Sequence, residues 1–230
     1  MEEAKELQQE ESEQLKKELS CLSTITAPKE HFTQIKEKPL FLKTLLIYSG
    51  ITTFLVLLAN YIGLQNPATL KAILAQHPGE TAASIQQSTL IFSGILGLIA
   101  AGLTSLLGAA VSWLIVKGLR GEANFQQLFS FQTHLYLLAV CALLVDTAFT
   151  LFTGNLSPFS ELSLGALLPV EGLSKVALSS IEPFNIWTVI LYGLGLQKIA
   201  NLTPTKAWFG AAIFFLLGAV FSVAIAAIGQ

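Results

Sequence analysis

Residues 88–116 read STLIFSGILGLIAAGLTSLLGAAVSWLIV and contain no charged side chain. A helix built from such a run is apolar on every side, so it must be enclosed by protein or immersed in lipid. About twenty mainly apolar residues cross the hydrocarbon core of a bilayer. Comparable runs occur at 40–63, 134–156 and 207–229, and a shorter one at 184–200 opens within PFNIWTVILYGLGL. Enclosing five such helices in a soluble protein would need an amphipathic outer layer, and no segment of the chain supplies one. Composition agrees: 12% of residues are charged, against about 25% in soluble domains, and mean hydropathy is +0.63. The charges are also confined. Residues 1–38 hold nine of the fifteen acids and six of the thirteen bases. The expected fold is therefore all-α: a polytopic integral membrane protein with a polar tail and interfacial segment over 1–39. Residues 40–230 form a bundle of about five transmembrane helices in the lipid bilayer.

The tail, MEEAKELQQEESEQLKKELSCL, is rich in Glu, Gln, Lys and Leu, so it favours helix or stays disordered rather than extended. Leu7, Leu15, Leu19 and Leu22 fall near one helical stripe, and Glu13 is spaced to support Lys17. The heptads are too few to hold a dimer alone. A cytosolic or membrane protein partner is expected to engage residues 1–38, if any segment recruits one. A net charge of −2 without a basic patch gives no reason to expect nucleic acid. The polar opening also argues against a cleaved secretory signal. PKEHFTQIKEKP follows, with Pro28 suited to a first helical turn and Phe32 and Ile35 expected at the membrane surface.

Loop charges orient the bundle. Lys29, Lys36, Lys38 and Lys43 precede or open the first run, Lys117 and Arg120 lie between the second and third, and Lys198 and Lys206 flank the fourth connection. The opposite loops carry only Lys71 and Lys175, with Glu80, Glu161, Glu171 and Glu182. The positive-inside rule then puts the N-terminus in the cytoplasm and the C-terminus outside a multi-pass cell-membrane protein. Within the loop at 157–183, LSLGALLPV is apolar but too short to span. It reads as an interfacial or re-entrant turn, or as a plain apolar loop.

Asp146 is the most pointed single residue, lying near the middle of the third run in CALLVDTAFT. A carboxylate there costs roughly 2.5–3.5 kcal/mol on insertion scales, so it should face protein, with Tyr192 a candidate partner from another span. An interhelical hydrogen bond is the plain expectation for this polar pair, and a small-molecule or ion permease using Asp146 is the alternative. Small residues recur every fourth position in the second run, at Ser93, Gly97, Ala101, Ser105 and Ala109, and again at Gly218, Ser222 and Ala226. With Gly193 they are expected to let helices approach closely, within the chain or in a homo-oligomer. His31, His77 and His134 are scattered, and Cys21 and Cys141 lie far apart, so neither a metal site nor a disulfide is expected. No phosphate-binding, dinucleotide or HExxH motif occurs, which leaves enzymatic activity and a cofactor unsupported.

Three stretches in order resemble the Yip1 family of small, usually five-span membrane proteins, in its bacterial branch. They are PKEHFTQIKEKP, KGLRGEANFQQLFSFQTHLYLLAV and IEPFNIWTVILYGLGLQKIANLTPTKAW, and the resemblance covers roughly 28–229. Its recognisable positions are Gly118, Gly121, Phe125, Gln126, His134, Trp187, Gly193, Lys198 and Lys206. The resemblance implies architectural roles for them and offers no catalytic residue. Eukaryotic relatives are associated with Rab GTPases and vesicle traffic, a machinery bacteria lack. What it implies is a non-enzymatic membrane protein that organises membranes or docks partner proteins.

Overall fold

The computed structural model describes residues 23–157 and 160–228. The tail helix, its leucine stripe, the Glu13–Lys17 pair and Cys21 lie outside the described residues. Ten helices and no strands occur among the described residues. They are α1 (Ser23–Thr26), α2 (Pro28–Glu37), α3 (Leu42–Gly63), α4 (Pro67–Gln76) and α5 (Ala82–Gly118). After them come α6 (Phe125–Thr153), α7 (Leu164–Leu167), α8 (Gly172–Ser179), α9 (Pro183–Ile199) and α10 (Pro204–Ile228). By length and composition α3, α5, α6 and α10 can each cross a membrane. Their outward faces carry bare apolar side chains such as Phe54, Ile91, Phe92, Leu114, Phe209 and Phe221, a surface that lipid accepts and water does not.

The shorter fourth run forms α9. Its seventeen residues rise only about 25 Å, less than the ~30 Å of hydrocarbon. The chain nevertheless travels from one end of the bundle to the other through it. Gly154, after α6, accepts a hydrogen bond from Asn66 at one end. Ala200, after α9, accepts one from the Glu122 amide at the other. The loop between α6 and α9 makes up the missing length. It turns back so that Ser160 and Glu161 lie beside Asp146, seven residues or about 10 Å before the end of α6. The stretch containing LSLGALLPV thus folds into α7, which packs on α8, and α8 in turn packs on α10.

Helix ends explain two boundaries that apolarity alone misplaces. Helix α6 opens at Phe125, nine residues before the apolar run, because Asn124 and Gln127 form a reciprocal capping box. It stops at Gly154, which takes a left-handed φ of 68°. Helix α5 begins at Ala82, where the Thr81 hydroxyl accepts from the Ser84 amide. It ends in a hydrogen-bonded turn in which the Gly121 amide reaches Val116 and the Arg120 amide reaches Lys117. That turn holds Arg120 at φ 62°, a conformation usually left to glycine.

The core sits toward one end. Phe32 and Ile35 of α2 are buried there with Ala109 and Val116 of α5, Leu128, Phe131 and Leu135 of α6, Leu191 and Leu196 of α9, and Ala207 of α10. The preamble helix therefore enters the core, and Phe32 meets Phe131 edge-on at 5.1 Å, rather than lying out on the surface. A second cluster joins Tyr48, Ala101, Leu137 and Val140 between α3, α5 and α6.

Candidate functional site

Asp146 and Tyr192 do not meet. The Asp146 carboxylate accepts from the Ser160 hydroxyl at 3.1 Å and the Glu161 amide at 3.2 Å, both in the returning loop. Tyr192 is fully buried in α9 and donates to Ser112 Oγ of α5 at 2.8 Å. Gln132 of α6 donates to the same oxygen at 2.7 Å, and the Ser112 hydroxyl donates to the Gly108 carbonyl at 2.7 Å. Ser112 thus gives one proton and accepts two, the full complement of a hydroxyl, and binds three helices through one atom. A buried polar group is tolerated when satisfied in this way. Sequence reasoning missed Ser112 and Gln132. The one available signal was that Ser112 continues the small-residue face seven positions beyond Ser105.

The small-residue positions separate clearly. Gly97, Ala101 and Ser105 are buried, and a side chain on Gly97 would lie 2.8 Å from the Thr53 Cα of α3. Gly193 lies under the Trp208 ring, which a Cβ would approach to 2.7 Å. Gly218 is different. It is exposed, and a Cβ there would meet nothing within 4 Å, so within the chain it is not a close-approach position.

At the basic end, polar groups fasten α2 to both neighbouring turns. Lys36 donates to the Asn201 side chain at 2.6 Å, and Asn201 donates to Glu122 at 2.6 Å. Gln127 donates to the Lys36 carbonyl and Ser130 to the Leu40 carbonyl. Lys206 donates to the Leu119 carbonyl, ending α5 with a cation where the helix dipole favours one. Two histidines that sequence leaves apart also come together here, with ring centroids 4.8 Å apart. His134 holds the Ser130 carbonyl and approaches Thr44, while His31 Nδ1 is 2.7 Å from the Ser23 hydroxyl. Burial, with the neighbouring His134 adding to it, pushes His31 down to about 4. The pair borders a cavity of about 500 Å³ with Lys38 and Lys43 on its rim.

Among the described residues no group of three His, Cys, Asp or Glu side chains is placed to hold a metal ion. What the described residues bring together is a three-helix hydrogen-bond hub, close-packed glycines and a stitched basic end.

No solved structure matches the chain. Among curated proteins it is 29% identical over 210 residues to "Membrane protein YknW" of Bacillus subtilis (strain 168), covering 89% of this chain and 88% of that protein. A family model for the Yip1 domain matches residues 22–226, a span that takes in α2, the returning loop and nearly all of α10. The chain belongs to the Yip1 domain family.

Proposed function

We propose that this Yip1 domain protein is non-enzymatic and serves as a membrane-embedded dock, organising membranes or holding a partner protein at its basic end. The observation that carries this reading is the fixing of α2. Phe32 and Ile35 are buried in the core, and Lys36 and Gln127 tie the end of the helix to the bundle. Whatever precedes Ser23 is delivered from a defined point rather than from a loose linker. The lysines of α2, the Lys117–Arg120 turn and the Lys198–Lys206 connection gather at that same end, which is the cytoplasmic one on the positive-inside rule. The permease alternative loses the pairing of Asp146 with Tyr192. Asp146 and Tyr192 are held by separate partners, and Tyr192 sits in a fully bonded network.

Proximity crosslinking in native membranes tests the proposal, with the full chain compared against one beginning at Ser23. Recovery of a defined partner with the full chain and its loss from the shortened one is the expected result. The same absence of partners in both samples would sink the docking role.

A further inference from the structure

The returning loop borders a second, open cavity, of about 330 Å³, at the end of the bundle opposite α2. Glu182 lines it, immediately before α9. A Glu at that position could cap the helix, but its carboxylate makes no capping bond. The side chain is only 8% exposed, and Oε2 is buried without a hydrogen-bond partner. A buried carboxylate oxygen without a partner is costly, and a proton or a cation would relieve it.

The rest of the wall shows what kind of guest fits. Ser179 gives its hydroxyl proton to the Lys175 carbonyl, Ser222 to Gly218 and Ser160 to Asp146. Asn185 gives an amide proton to the Ser180 carbonyl. Ser179 and Ser222 have turned their donors away, and what a hydroxyl then has left is lone pairs. Ser160 also reaches the Glu182 carboxylate, which leaves Oε2 as the oxygen without a partner. Asp146 stands behind Ser160 as a second carboxylate. The cavity therefore combines acidic and neutral oxygens. Irregular backbone at depth in a membrane protein is tolerated where it is buried or lines a cavity, and Ser160–Glu182 does so here.

We propose that this cavity is a binding site for a hard, oxygen-seeking metal cation of the Ca²⁺ class, with Glu182 and Ser160 in contact and Asp146 supplying the second negative charge. Two carboxylates with neutral oxygens suit such an ion, whereas zinc or copper would call for the imidazole or thiolate ligands that the lining does not contain. A site with so few charges belongs to the weak class, with dissociation constants of roughly 10⁻⁴–10⁻³ M. The ion would hold the returning loop against α6 and α10. The proposal is independent of the docking role at the other end.

The test uses the full chain in phosphatidylcholine discs, stripped with EDTA and titrated with CaCl₂, and with terbium as a luminescent probe. Empty discs and matched KCl serve as controls. Saturable Ca²⁺ binding with a rise in melting temperature is expected, weakened roughly 10–100-fold or more in both Glu182→Gln and Asp146→Asn. Glu171→Gln, an exposed acid in the same loop, should bind as the unaltered chain does. Absence of saturable binding in the unaltered chain overturns the proposal. So does retention of full affinity by either site variant. Stabilisation by low pH that Glu182→Gln abolishes, with Ca²⁺ having no effect, would overturn it in favour of a trapped proton.

Discussion

The two ends of the bundle are built on different terms. At the basic end, rings, glycines and hydrogen bonds close the core beneath the cavity that His31 and His134 border. Phe131 lies between Phe32 and Tyr192, Gly195 lets its ring in, and Ser112 satisfies two donors at once. At the other end, short helices α7 and α8 and the second half of α10 leave a cavity, an unpartnered carboxylate oxygen and an exposed apolar tail ending in Ile228. The same residue types behave differently in the two places. Glycine is a contact at 195 and open space at 218, and an acid is tied into a turn at 122 while one carboxylate oxygen is left without a partner at 182. Rigid position is what a docking end needs, while the other end keeps a carboxylate oxygen without a partner.

Gly195→Leu should give the largest effect. A Cβ there would run into the Phe131 ring, which is itself fully buried in the core of the tight end. Overpacking a filled site costs about 1–3 kcal/mol and sometimes more. The variant is expected to lose most of its detergent-resistant folded fraction in a thermal size-exclusion assay. Retention of wild-type melting would mean that this end is far softer than its geometry implies.

Ser112→Ala comes next. It strands the Tyr192 hydroxyl and the Gln132 amide together, at about 1–3 kcal/mol for a buried donor without a partner. Tyr192→Phe removes only one bond and leaves Ser112 with Gln132, so it should cost about 1 kcal/mol or less. The ordering of the two, measured by denaturant unfolding in mixed micelles, is the sharp part. Equal losses would show that the network is not shared through one oxygen.

Acid should loosen the tight end at a definite place. His31 titrates at about 4 in the folded chain against an ordinary value of 6.5, so the unfolded chain binds the proton more readily between those values. Stability from the neutral, buried His31 is whole above pH 6.5 and drains away as pH falls toward 4. Hydrogen exchange across α2 should rise over that window, and His31→Gln should flatten the dependence. His134, the facing ring, stays in place in that variant. Unchanged exchange in α2 from pH 7 to 4.5 would contradict the assignment.

How much of this contrast is legible in the amino-acid chain depends on whether a feature is local. The apolar runs are, and the four long helices and the short fourth run follow from them. The opening of α6 at Phe125 is not, because QQLFSFQTH reads as polar while Gln132, Thr133 and His134 are buried against other helices. Helices α4 and α8 are too short for a pattern to stand out. Asp146 announces itself by its cost in an apolar run, but its partners come from a loop fourteen and fifteen residues on. The Ser112 hub joins three separate segments, so no window of sequence contains it. The glycine at 218 illustrates the reverse error: its spacing with Ser222 and Ala226 matches a seam, yet in the chain that face has no neighbour at Gly218.

Asp146→Leu should separate local from global stability at the loose end. It removes the acceptor for Ser160 and Glu161, so exchange protection in the 160–182 loop should fall well before α3 or α6 melts. Loss of the whole bundle at once would join the two ends into one cooperative unit.

Gly218→Leu is expected to do least. A Cβ at 218 meets nothing within 4 Å, and Leu217, Val220 and Phe221 around it are already exposed. A larger apolar side chain facing lipid should leave melting within about 0.5 kcal/mol of the unaltered chain, the range typical of surface substitutions. Particle mass in discs should also be unchanged. The comparison with Gly195→Leu is then direct: one substitution, two helices, and opposite consequences set by whether an aromatic ring stands in the way. A fall in particle mass on Gly218→Leu would change that account. It would mean that the Gly218–Ser222–Ala226 face is covered by a second copy in the membrane, so that the open end of the chain is closed in its assembly.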